Sequence, residues 1–169
     1  MKNIVEMRHM HAYCLFCETQ RCKIIAEYIN RVTEFRCILP RITQRKWIKG
    51  IPEEEPHDWL PGYLFLYTEE PVRPFFNISG IIRCLGNNEL TGNDLQFAEM
   101  LYQRNGILGG VSLIQEGDRC RVSDPAWENL QGHIIKMDHG RRRCCVEYRF
   151  DGITRTIWVG YEIVQTEEN

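Results

Sequence analysis

The chain has 169 residues, 43% of them apolar and 26% charged, with a formal net charge of −2. That length is one ordinary domain or two small ones, and the balance describes a folded chain rather than a disordered tail. So small a net charge excludes a globally basic nucleic-acid binder, and any such contact has to come from local patches. No apolar run has the length of a membrane span, and the segment from Met1 to Arg8 lacks the apolar centre of a signal peptide, so a cytoplasmic protein without membrane contact is expected.

The first predicted element is a strand over residues 10 to 17. It contains Cys14 and Cys17 in an apolar run, where a metal knuckle would need a turn and a second ligand pair. Cys144 and Cys145 are adjacent and face opposite sides of any strand. The eight cysteines are therefore read as reduced, buried thiols, and no metal or other cofactor is expected. Thr19 is placed as the cap of a helix running to about Val32, with Cys22, Ile25, Ile29 and Val32 on one face. Glu34 to Thr43 reads as a second strand interrupted by Pro40. Gln44 to Asp58 has no sustained period and is expected to be an exposed loop or hairpin. Tyr63 to Thr68 carries the strongest strand signal of the chain. Pro71 to Asn77 is expected as a short helix or turn, Ile81 to Leu85 as a strand, and Asp94 to Gln103 as a helix with Leu95, Ala98, Leu101 and Tyr102 on one side.

A cluster of structure breakers, Asn105, Gly106, Gly109 and Gly110, marks a boundary. Beyond Gly117 no helical period is read. Short alternating stretches at Arg119 to Val122, Gly132 to Met137, Cys144 to Phe150 and Thr154 to Val159 suggest a small five-stranded barrel, with Val122, Ile134, Val146, Tyr148 and Ile157 as its core. The expectation is an α+β chain. Residues 1–106 form an αβ sandwich of a mixed sheet with flanking helices, 107–114 a linker, and 115–169 an all-β barrel.

The order of these residues resembles a family. Tyr13 and Phe16 on the opening strand, Pro40, the block Leu60-Pro61-Gly62-Tyr63-Leu64-Phe65 and the helix from Leu95 to Leu101 are similar to the N-terminal (NGN) domain of the NusG transcription elongation factors. Gly117-Asp118, Val122, Pro125, Gly132, Ile134, Val146 and Phe150-Asp151-Gly152 resemble their KOW domain, an SH3-like barrel. Ser123-Asp124-Pro125-Ala126-Trp127 departs from the general members, as does the turn Arg141-Arg142-Arg143, and both point to a specialised paralogue similar to the LoaP type of bacterial antitermination factor. The resemblance implies a monomeric, non-enzymatic factor that binds the clamp helices of the largest RNA polymerase subunit, promotes readthrough of pauses and terminators, and recognises an RNA hairpin. The small-subunit ribosomal protein or termination factor Rho bound by related barrels are further partners it implies. The alternative, from another class, is a KOW-barrel RNA- or ribosome-binding protein without polymerase contact.

Phe16, Leu60, Pro61, Tyr63 and Phe65 are the expected polymerase contacts. Strand alternation puts Tyr63, Phe65 and Tyr67 on one face, opposite Leu64 and Leu66, so one set faces the core and the other faces either a partner or a second helix layer. Two basic clusters compete for nucleic acid. Lys136, His139, Arg141, Arg142, Arg143, Arg149 and Arg155 combine charge with planar groups that fork to phosphates or stack on bases, although three arginines on a hairpin also make a solvated tip. Arg41, Arg45, Lys46, Trp47 and Lys49 offer a second backbone site for DNA or RNA, with Trp47 either a stacking platform or the closure of a small apolar loop. No glycine-rich phosphate loop or nucleophile with a recognisable base is present, so catalysis is not expected.

Overall fold

A computed structural model describes residues 10–73 and 77–167; the side chains of Gln44, Arg45, Lys46 and Asn87 are outside the description. It is a strand-rich α+β protein with several sheets, and the chain divides into two compact units. The first unit combines residues up to Arg41 with Leu60–Gly106, and the second combines Ile42–Trp59 with residues from Ile107 onward. Among the described residues no helix is long and apolar enough to cross a membrane.

In the first unit, strand β1 (His11–Cys17) leads through a short 3-10 turn at Thr19–Arg21 into helix α1 (Cys22–Val32). Thr19 thus belongs to the tight turn and no side chain caps the helix, which corrects the cap expected there. Cys22, Ile25, Ala26 and Ile29 are buried. Val32 is exposed instead, because at about 100° per residue it falls on the row of Ile24 and Tyr28, which also face outward. Thr33 closes the helix, its hydroxyl and its amide both donating to the Ile29 carbonyl.

Strand β2 (Arg36–Ile38) follows and stops before Pro40, which can neither donate to a ladder nor continue one. Strands β3 (Arg41–Ile48) and β4 (Ile51–Asp58) make a hairpin where a loop or hairpin was expected. Its turn is Lys49-Gly50, with φ of 51° and 78°, the two positive values that match the twist of a two-residue hairpin. Strand β5 (Tyr63–Thr68) is buried along its whole length, and β6 (Ile81–Cys84) and helix α2 (Gly92–Gln103) complete the first unit. Residues 74–76 of the element expected from Pro71 to Asn77 lie outside the described residues; Pro71 to Arg73 have no regular structure.

The sheet of this unit has the order β2-β5-β1-β6 with every neighbouring pair antiparallel, which corrects the mixed sheet expected there. Tyr13 pairs with Leu66 and Leu15 with Leu64, and this face packs with Ile25, Ala26 and Ile29 of α1 into one apolar core. Cys14 pairs with Phe65, and Phe16 with Tyr63, on the opposite face.

The segment expected as a linker is instead strand β7 (Ile107–Leu108) and strand β8 (Val111–Glu116). Alternation of buried Val111 and Leu113 there outweighs the two glycines before them. Strand β9 (Arg119–Val122) precedes a short helix α3 (Pro125–Asn129), which corrects the reading of a helix-free second half. Asp124 is its cap, accepting from the Ala126 amide at 3.0 Å, and Pro125 occupies the first turn, where no amide is missed. Strands β10 (His133–Asp138), β11 (Arg143–Phe150) and the long β12 (Ile153–Glu167) complete a five-stranded sheet of order β10-β11-β12-β8-β9. Only the β12–β8 pair is parallel, and β9 also approaches β10, which curls the sheet round. Strands β4, β3 and β7 form a separate three-stranded sheet.

Val146, Tyr148 and Ile157 are buried as expected, whereas Val122 and Ile134 are half-buried. The largest side chains of this core are Trp127 and Trp59. The rings of Trp59, Trp127 and Tyr148 lie within 5.4 to 5.7 Å of one another, and the Tyr148 hydroxyl donates to the Trp59 carbonyl at 2.9 Å.

Candidate nucleic-acid interface

The second unit holds the one group of expected contacts that the fold draws together. On β11, paired residues of neighbouring strands share a face, so Arg143, Cys145, Glu147 and Arg149 stand with Gly160, Trp158, Thr156 and Thr154 of β12. Lys136 of β10 pairs with Cys145 from the other side. The result is a cross-strand row in which the Arg143 guanidinium lies 4.7 Å from the Trp158 ring centre and the Lys136 ammonium 6.0 Å from it. Cys145, in the middle of that row, is only 7% exposed, which means its neighbours lie over it. Burial raises its thiol pKa above the ordinary value against the opposing hydrogen bond from Thr156. Trp158 was not among the expected contacts. Its signal was there in the alternation of Thr154, Thr156 and Trp158 against Ile157 and Val159, which places a tryptophan on the outside.

The β10–β11 turn is built by Asp138. Its carboxylate accepts from the Arg141 amide at 3.2 Å and from Arg143 Nε at 3.2 Å, and partial desolvation notwithstanding, these bonds and the two arginine charges hold its pKa below the ordinary value. Arg142 adopts a φ of 49° and is exposed, as are Arg141 and His139. The Arg141 guanidinium lies 5.9 Å from the ring of Trp47, and His139 Nδ1 lies 3.2 Å from the Tyr161 hydroxyl. The turn is therefore a basic tip flanked by aromatic rings.

Arg155 does not join this face. It pairs with Tyr148, whose side of the sheet is the core, and its Nε is out of solvent without a hydrogen-bond partner among the described residues. It is a core-side cation, close enough to oppose the burial that pushes the Tyr148 hydroxyl up to about 12. Arg149 is exposed on the outer face, and Glu147 there is paired with His133 at 3.2 Å. A cleft of about 310 Å³ opens beside Tyr161, with Thr43, Ser112, Glu54 and Glu162 in its wall. Two carboxylates there make it unsuited to phosphate.

The second basic cluster is divided. Arg41 ends the first unit, whereas Trp47 and Lys49 belong to the second, Trp47 half-buried and Lys49 exposed in the hairpin turn. The side chains of Arg45 and Lys46 lie outside the described residues. A run that is continuous in sequence is thus not one patch of one unit.

The expected polymerase contacts are mostly interior. Leu60, Tyr63 and Phe65 are each 1% exposed, which corrects the reading of an outward apolar face. For Phe65 the cause is a second helix layer: it packs edge-on against Phe97 of α2 at 5.7 Å, and Tyr67 on the same face meets Tyr102 edge-on and donates to the Ala98 carbonyl at 2.6 Å. At the surface remain Pro61, exposed, and Phe16, half-buried, its ring 5.1 Å from Tyr63 and under the Arg83 guanidinium at 5.2 Å. Gly62 sits beside them with φ of 94°, and a Cβ there would stand 2.9 Å from the Phe16 ring, so the turn needs glycine for both reasons.

No protein-family model matches the chain, and no curated protein is significantly similar to it.

Proposed function

We propose that this chain is a non-enzymatic transcription elongation or antitermination factor of the NusG type, in which the second unit is a KOW-like barrel that holds RNA and the first an NGN-like domain that binds RNA polymerase. The single observation that supports the RNA contact best is that Arg143 and Lys136 both lie against Trp158 beside the arginine turn. Outward cations meet phosphates, and an outward indole among them meets bases. An α+β unit with helices on both faces of a four-stranded sheet, followed by a curled five-stranded one, supports the order of modules that the resemblance implies. In this reading polymerase is met at the rim, by Pro61 and the edge of Phe16, while Leu60, Tyr63 and Phe65 hold that rim from below. A factor that binds the closed clamp better than the open one favours processive elongation by that difference in affinity.

A second reading, a barrel that binds RNA or the ribosome without polymerase, is favoured by the burial of Leu60, Tyr63 and Phe65. Pull-down with purified polymerase separates the two. Capture by the wild-type chain, weakened by Pro61→Arg at unchanged thermal stability, supports the first. Absence of capture, with hairpin RNA still bound, selects the second. The RNA contact itself is tested by Arg142→Ala with Arg149→Ala, which is expected to weaken hairpin binding and flatten its salt dependence; an unchanged slope removes the site from this face.

A further inference from the structure

We propose that Trp158 is a stacking platform for an unpaired nucleobase, so that the barrel takes a single-stranded segment, such as a loop or bulge, rather than the stem of a duplex. The inference rests on the RNA-binding reading above and sharpens it.

The argument begins with charge. Where β10, β11 and β12 pair with one another, the outer-face cations are Lys136, Arg143 and Arg149, and the anions Asp138 and Glu147 are already engaged by Arg143 and His133. That surplus is slight, and a duplex, which offers phosphates and hides its base faces, would gain little from it. What distinguishes the face is the indole. Trp158 is half-buried in the middle of a strand, on the side away from the Trp127 core, and its row is completed by Lys136 and Cys145. Arg143 is gripped by Asp138 through Nε, which fixes the guanidinium near the ring. A base laid on the exposed part of the indole would have its flanking phosphates within reach of Lys136 and Arg143, both of which lie against the ring, the combination of stacking and backbone charge by which single strands are held. The plainer role is a lid over Cys145, and a lid needs bulk but no ligand.

The test uses the full chain and three labelled probes: an oligoriboadenylate of about ten nucleotides, its deoxy counterpart and a blunt RNA duplex of similar length. Trp158→Ala is expected to weaken single-strand binding about tenfold, equivalent to about 1.4 kcal/mol. Trp158→Tyr should recover most of that loss, and the salt slope should not change, since no cation is removed. The oligonucleotide should quench the intrinsic tryptophan fluorescence of the wild type, and the amplitude of that quenching should be smaller in both variants, which lack the indole the base covers. Binding of the blunt duplex should be indifferent to both substitutions. The ribo and deoxy arms identify which single strand the site prefers. Trp158→Ala leaving single-strand affinity intact while Arg142→Ala lowers it would overturn the stacking role and keep the RNA reading. A loss that Tyr does not recover, accompanied by a fall in melting temperature, would also overturn it by making Trp158 a lid. A wild-type chain that binds none of the three probes defeats the underlying RNA reading instead.

Discussion

Two groups of side chains in this protein owe their chemistry to burial. Burial, with Cys22 nearby, pushes the Cys37 thiol up to about 12, and burial with Cys145 and Cys120 nearby pushes Cys144 up to about 12. Cys17 is raised well above the ordinary range by its hydrogen bond with Cys22 and by burial. Thiolate is the reactive form, so in the folded protein at pH 8 iodoacetamide should label the half-buried Cys120 first and leave Cys17, Cys37 and Cys144 untouched until denaturant is added, as read by mass spectrometry. Tyr148 is the second case. Its hydroxyl bond to the Trp59 carbonyl is worth about 1 kcal/mol, so Tyr148→Phe should lower unfolding free energy by about that amount in urea titration. Its folded pKa, about 12, lies above the unfolded value near 10. The folded state therefore holds the proton more tightly; its contribution is complete below about pH 10 and is lost as pH rises toward about 12. The phenylalanine variant should lack that alkaline loss.

Among the elements, the β10–β11 turn depends on one carboxylate. Asp138 ties the Arg141 amide and Arg143 Nε into a fixed tip, and its pKa is depressed. A depressed carboxylate stabilises above its unfolded value, about 3.9, and stops doing so as pH falls through its lower folded value. The protection of the Arg141 amide, relative to its intrinsic exchange rate at each pH, should accordingly fall on acidification below about pH 4, beyond what the remaining amides of the unit show, and Asp138→Ala should show that low protection already at neutral pH. Helix α3 was hidden in sequence for a related reason: five residues are too few to display a period, and only the Asp124-Pro125 pair announces it. The buried strand β5 was plain, since six consecutive aromatic and apolar residues admit little else, and the shared face of Tyr63, Phe65 and Tyr67 followed from alternation alone. Whether that face met solvent or a helix was not in the strand, because it depended on Phe97 and Tyr102 some thirty residues further on.

Taken whole, the molecule divides differently from its chain order. The hairpin of β3 and β4 and the tryptophan that follows it, Trp59, belong to the unit completed by the last third of the chain. A fragment beginning at Ile107, the cut suggested by the glycine-rich break, would lack Trp59 and open the cluster with Trp127 and Tyr148. Removing so large an aromatic side chain from a core costs about 3 to 5 kcal/mol, comparable to the whole stability of a small domain. Such a fragment is expected to melt well below the full chain, or without a cooperative transition in calorimetry; a transition at the full-length temperature would show that the second unit is closed without the hairpin.

Local rules in the chain itself were enough to establish most of the strands, though not β7 and β8, the two main helices, the break at Pro40, the burial of the cysteine-bearing β1 and the basic character of the Asp138 to Arg143 turn. These are properties of neighbours along the backbone, written in periods of two and about 3.6 residues. Long-range pairing settled the rest: which face of β5 was covered, that Arg155 turns inward while Arg149 turns outward, and that Lys136 and Arg143 come to lie against Trp158. No local pattern carries that information, because each of these outcomes depends on residues brought together only when separate strands take their register.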